Sequence, residues 1–168
     1  MSHRLRRASG DGPATLLLAR VENMHRVADT LAPEDLLRLF TSILDAIEVR
    51  VATQGGHFVT WDPSSTEGAT AVCAWLDDSQ TDRLDIRGIA RELTAVIRSR
   101  LDRQLGPHMP RTRVVAAVCR GPCLHAREGP RVTMLVGTTL VELYRLARSR
   151  PGPGDVVVTD ASTADVVG

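Results

Sequence analysis

Cys119 and Cys123, followed by His125, are the grouping in this chain whose side chains could ligate a soft metal. A structural zinc site usually draws on two such pairs, and the remaining cysteine, Cys73, stands in an apolar stretch as a small core residue. The Cys119–Cys123 spacing spans Gly121-Pro122, which reads as a turn. His25, His57 and His108 fall in loops or at strand starts, with no serine and carboxylate spaced to make a nucleophile, base and orienting group. Trp61 and Trp75 flank a predicted hairpin and read as packing residues rather than ligand-stacking ones. All 21 basic residues are arginine. GC-rich coding accounts for that more simply than selection for phosphate binding. The consequence is chemical either way: no Schiff base, P-loop amine or lysine that reads a purine is possible.

The whole chain bounds the problem further. Its 168 residues make about one domain, and 43% apolar content with only 3% aromatics means Leu, Val, Ile and Ala must fill the core. Net charge is +1, and apart from Arg4, Arg6 and Arg7 the arginines form no run. Without aromatic interleaving, a nucleic-acid partner is not expected. No apolar run approaches the roughly 20 residues needed to span a bilayer, so no membrane segment is expected. Three cysteines are too few for a disulfide framework and suit a reducing, cytoplasmic compartment.

These residues must be held by elements the pattern predicts. Residues 1–13 read as a flexible lead-in, and Ala14–Val21 as a strand buried on both faces. A helical turn near Asn23–Leu31 precedes a helix opened by Pro33, with Glu34 and Asp35 at its positive end. Leu36, Phe40, Ile43, Leu44, Ile47 and Val51 form its apolar face, and Gly55-Gly56 stops it. His57–Trp61 and Ala69–Trp75 read as a hairpin. A second long helix follows Thr81–Asp85, burying Ile86, Ile89, Leu93, Val96, Ile97 and Leu101, and ends at Gly106-Pro107. Arg113–Cys119 and Arg131–Val136 are further strands. Thr138 or Thr139 caps a helix to about Arg148, and Asp155–Thr159 is a last strand. The order β-α-α-β-β-α-β-β-α-β predicts a mixed sheet with helices packed on it.

This order resembles the catalytic domain of class III adenylate and guanylate cyclases over residues 14–160. The resemblance rests on Leu18-Ala19-Arg20-Val21, Gly55-Gly56-His57-Phe58-Val59, Thr66-Glu67-Gly68 before Ala69–Cys73, and Ala117-Val118-Cys119-Arg120-Gly121. Val136-Gly137-Thr138-Thr139-Leu140-Val141-Glu142-Leu143-Tyr144-Arg145-Leu146 and Pro153-Gly154-Asp155-Val156-Val157-Val158-Thr159 complete it. It implies an α+β fold with a ferredoxin-like, palm-type mixed sheet, and 161–168 as a tail or the start of a linker to further domains.

The resemblance also implies what is missing. Such cyclases hold two divalent ions on two aspartates and clamp an in-line displacement with them. Arg20 stands at the first aspartate position, where a guanidinium repels a cation. Glu67 stands at the second, after allowance for about three extra residues in the turn, and alone makes a weak metal site. The base-reading lysine and aspartate positions carry Thr60 and Met134, and the ribose asparagine is Val141. Arg145 alone is retained. No cofactor is implied. Arg20 has two readings: an ion pair with Glu67 across the sheet, or a phosphate clamp. Arg145 likewise either contacts phosphate or pairs with Glu142.

The resemblance therefore implies a catalytically inactive cyclase-like module for dimerisation or regulation, as a homodimer or with a related domain. The alternative is a nucleotide sensor that binds phosphates through Arg20 and Arg145 without turnover. A residually active or heterodimeric cyclase ranks below both.

Overall fold

The apolar run that begins the fold is longer than its hydrophobicity suggests. In a computed structural model, which describes residues 8–64, 67–76, 84–148, 154–159 and 164–166, strand β1 spans Ala8–Glu22. It therefore takes in residues 8–13 of the expected lead-in; residues 1–7, with Arg4, Arg6 and Arg7, lie outside the described residues. Helices α1 (Met24–Ala28) and α2 (Pro33–Thr53) follow, then β2 (His57–Asp62), β3 (Ala69–Leu76) and α3 (Ile86–Gln104). The second half comprises β4 (Arg113–Glu128), β5 (Arg131–Val136), α4 (Thr138–Arg148), β6 (Val156–Thr159) and β7 (Ala164–Val166). Strand β7 falls within the expected tail, whose residues 161–163 and 167–168 are outside the described set, as are Pro151–Pro153 and Thr66 of the sequence motifs.

The sheet runs β2-β3-β1-β4-β6-β7, with β5 paired to β4. All pairings are antiparallel except β4 with β6, so the sheet is mixed. Strand alternation divides the core into two layers. Leu17, Ala19 and Val21 of β1 join Ile43 and Ile47 of α2 and Leu93 and Ile97 of α3 on one face. Leu16 and Leu18 join Leu143, Leu146 and Ala147 of α4 on the other. Burying both faces explains why β1 reads as a continuous apolar run. Among the described residues, three helices cover one face and α4 the other.

Several local readings change. Leu39, absent from the predicted face of α2, is fully buried, and Val96 of α3 is only partly so. Thr138 is the first helical residue, and the Thr139 hydroxyl donates to Pro122 O at 2.6 Å rather than capping α4. Gly121-Pro122 is no turn; β4 runs through it. Pro122 faces Pro13 across the ladder, between Ala14 opposite Leu76 at the end of β3 and Leu124 opposite Val136 at the end of β5. Among the described residues neither proline has a second neighbouring strand there, so an outward-facing N–H that is missing forfeits no ladder hydrogen bond.

Candidate functional site

Arg20 faces the α4 side of β1, where alternation puts Leu16 and Leu18. It is 1% exposed, a guanidinium as buried as the leucines beside it. Its Nε donates to the Thr70 hydroxyl of β3, its ladder partner, at 3.3 Å. Its Nη2 lies 3.0 Å from a Glu67 carboxylate oxygen. Gly68 makes this approach possible. It has φ +128°, and a Cβ there would stand 2.4 Å from Val21 O, so only glycine lets the β2–β3 turn lie against the end of β1. Glu67 also meets Arg148 Nε, from the last turn of α4, at 2.5 Å. One carboxylate thus joins three elements through two arginines.

The pairing of Arg20 with Glu67 is the structural alternative raised from the sequence, and it is what the geometry contains. Arg148 was not singled out there, although it lies one helical turn beyond Arg145. Arg145 turns outward and pairs with Glu142, its Nε donating to a carboxylate oxygen at 2.7 Å. Thr60 on β2 is exposed. So are Met134 of β5 at 52% and Val141 of α4 at 71%. The described residues therefore gather Arg20 and Glu67 and leave Arg145 with Glu142.

A divalent cation does not fit this arrangement. Arg20 places positive charge beside the single carboxylate, and Arg148 occupies that carboxylate's other oxygen. No group of three or more His, Cys, Asp or Glu side chains able to hold a metal occurs among the described residues. Cys119 and Cys123, four residues apart on one strand, are separated by about 13 Å, too far to share an ion. Both are buried and outside any disulfide, as is Cys73, whose thiol burial pushes up to about 12. The tryptophans pack: Trp75 Nε1 donates to Gln54 O at 3.0 Å, and Trp61 meets Phe40 edge-on with ring centroids 5.5 Å apart.

The histidines are less isolated than the sequence suggested. His57, at the start of β2, lies beside His125 and Arg127 of β4 and hydrogen-bonds the backbone at Pro130. Burial, then the charges of Arg127 and His125, lower its titration below the ordinary histidine value, against the pull of the Pro130 bond. Nothing in the spacing of residues 57, 125 and 127 could have revealed this, because the contact depends on how far β4 extends.

Comparison with solved structures gives the frame for these positions. The guanylyl cyclase Cya2 superposes with TM-score 0.72 at 14% identity, over 91% of this chain and 77% of that one. The adenylyl cyclase CyaB from P. aeruginosa gives 0.69 at 14% identity, over 89% and 78%. A dimeric guanylyl cyclase domain, non-standard in form, of the RhoGC fusion protein from the aquatic fungus Blastocladiella emersonii gives 0.66 at 12%, over 90% and 82%. The fold is that of the class III nucleotidyl cyclase catalytic domain. No family model and no curated protein matches the sequence itself. Within this cyclase fold the strand β1 arginine is buried and neutralised by the turn carboxylate. No helix among the described residues is long and apolar enough to cross a membrane.

Proposed function

We propose that this chain is a catalytically silent cyclase-fold domain that acts by association, with a second copy or with a related domain. The observation that carries the reading is the buried Arg20–Glu67 pair, 3.0 Å apart, in the place where the resemblance puts two metal-binding carboxylates. An ion pair flanked by Thr70 and Arg148 balances those charges, though Arg20 Nη2 meets Glu67 without hydrogen-bond geometry, and leaves Mg²⁺ only a carboxylate already shared by two arginines. Thr60, Met134 and Val141 in place of base- and ribose-reading groups agree with this. The exposed apolar side chains of Leu124, Met134, Val136 and Val141 support association, since desolvating such groups is the usual drive for it.

The nucleotide-sensing alternative has less behind it. Arg20 is committed to Glu67 and Thr70, and Arg145 to Glu142. A phosphate would have to displace Glu142 from an exposed arginine. The deciding experiment incubates purified protein with ATP or GTP and Mn²⁺, in parallel with calorimetry for ATP, GTP and the cyclic nucleotides. The expected results are no cyclic product and no heat of binding. Sustained product formation that Arg145→Ala abolishes would overturn the reading.

A further inference from the structure

The distal halves of β1, β4 and β5 form a ribbon that continues past the end of β3 and carries the turn at Gly129-Pro130. Its register runs Ala8↔Arg127 to Pro13↔Pro122 on one side and Leu124↔Val136 to Glu128↔Arg131 on the other. Alternation gives it two unlike faces. Leu124, Met134 and Val136 are exposed on one, while Cys123, Leu135 and Val132 are buried on the other with Val59 of β2 packed against that cluster. His125 belongs to the same inward alternation as Cys123, and its imidazole crowds Gly10, its ladder partner. A Cβ at Gly10 would stand 2.3 Å from that ring, so the glycine makes room for it.

We propose that His57, His125 and Arg127 form an acid-sensitive latch that holds the β4–β5 ribbon against the edge strand β2. The second part of this inference rests on the association reading above: because the ribbon presents Leu124, Met134 and Val136, acid that frees it also weakens pairing with a second copy.

The electrostatics of the contact give the direction. Burial, then the neighbouring Arg127 guanidinium and His125 imidazole, disfavour a proton on His57, against the Pro130 bond. Its ladder partner on β3 is Ala74, and the α2–β2 connection beside it is Gln54-Gly55-Gly56, all uncharged. β5 contributes only Arg131, which is exposed. The carboxylate at the ribbon's end, Glu128, is exposed and sits opposite Arg131 in the ladder. Arg127 Nε is itself buried without a hydrogen-bond acceptor among the described residues. A second positive charge on His57 would therefore enter a half-buried site that already holds one. The docked ribbon prefers neutral His57, so its titration in the docked state lies below that in the released state. Docking is at full strength above pH ~6.5 and weakens as the pH falls toward the docked-state value.

Amide hydrogen exchange of residues 122–136 from pH 7.5 to 5, corrected for intrinsic rates, tests the latch alongside an NMR titration of the His57 ring. Protection in the ribbon is expected to fall by up to ~tenfold per pH unit below pH ~6.5, the limit for one linked proton. His57→Gln is expected to flatten that profile without changing protection in α3. Protection independent of pH, the same slope in His57→Gln, or a His57 ring that titrates at or above its ordinary value would each overturn the latch. If His57→Gln does not fold, the wild-type exchange profile and ring titration still decide. Sedimentation over the same pH range separates the two parts. Pairing at neutral pH that weakens in acid supports the coupling, and pairing unchanged in acid overturns it. A protein monomeric at every pH defeats the association reading and this coupling with it, while ribbon exchange still tests the latch.

Discussion

Arg20 and Glu67 are a case in which removing either partner has a different outcome. Glu67→Gln leaves a guanidinium in a site 1% exposed, with only the Thr70 hydroxyl and a neutral amide for company. An uncompensated buried charge of that kind costs about 3–5 kcal/mol, so urea unfolding should show a loss of at least ~3 kcal/mol. Arg148→Gln removes a solvent-exposed partner and should cost at most ~1 kcal/mol. Equal losses would mean that Arg20 does not depend on the carboxylate. Gly68→Ala should also destabilise, by about 2–4 kcal/mol, because φ +128° and the contact with Val21 O leave no room for a methyl. Arg20→Asp reverses the sign of the site. Two carboxylates then face each other, and thermal melts should rise with millimolar Mn²⁺ in this variant and stay flat in wild type. Much of this was legible in the sequence, since an arginine in Leu16–Val21 either finds a carboxylate or stays unpaired. Arg148 was not legible, because its reach to Glu67 depends on where α4 crosses the sheet.

Strand β6 is held by a charge cluster at its start. Arg98 of α3 donates to both oxygens of Asp155, at 2.8 and 2.6 Å, and to Thr112 O at 3.0 Å. Asp155 also accepts from the backbone N–H of Val114 at 2.8 Å, tying α3, β4 and β6 at one point. Burial alone would raise the Asp155 carboxyl. Hydrogen bonds from Arg98 and Val114 and the charges of Arg98 and Arg113 outweigh it and hold the group below the usual carboxylate range. A depressed folded-state value means stability that is present above the unfolded value and lost as pH falls through the folded one. Asp155→Asn should therefore cost about 2–3 kcal/mol at pH 7, and the difference from wild type should shrink below pH ~3.9. Urea titrations at pH 7 and pH 3 check this, and a difference that persists in acid would assign the effect to packing. The elements themselves followed from periodicity, as α2 and α3 did. What failed was Gly121-Pro122 in β4. Its composition favours a turn, and only the facing Pro13, at a place where neither strand has a second neighbour among the described residues, makes two prolines harmless in a ladder.

At the scale of the molecule, the asymmetry of coverage is the property with consequences. Among the described residues, three helices close one face of the sheet and α4 occupies the other. Apolar side chains remain uncovered on both sides of the β5–α4 junction: Val136 ends β5 on the ribbon face opposite the one that packs with α4, Gly137 follows, and Val141 N donates back to Gly137 O one turn into α4. Leu124 stands opposite Val136 in the ladder, and Met134 lies two residues earlier on the same face. Val141 and Met134 were visible in the sequence as apolar replacements at positions the resemblance makes polar. Leu124 and Val136 were not, because their exposure follows from the continuation of β4. Fully burying one such side chain is worth about 1.5–3 kcal/mol, and in a two-fold dimer each contributes twice. Val141→Asp therefore loses that gain at two places and buries two charges without partners. The wild type is expected to sediment as a dimer at tens of micromolar, and Val141→Asp to raise the dissociation constant at least ~100-fold, about 2.8 kcal/mol. The control is Leu37→Asp on α2, similarly exposed at 66% but on a helix that is no part of the β5–α4 junction, which should leave association unchanged. Melting temperatures of the two variants at low concentration should agree, since neither residue contributes to the core. Weakening by both substitutions would point to non-specific apolar contact, and weakening by neither would show that this face does not pair.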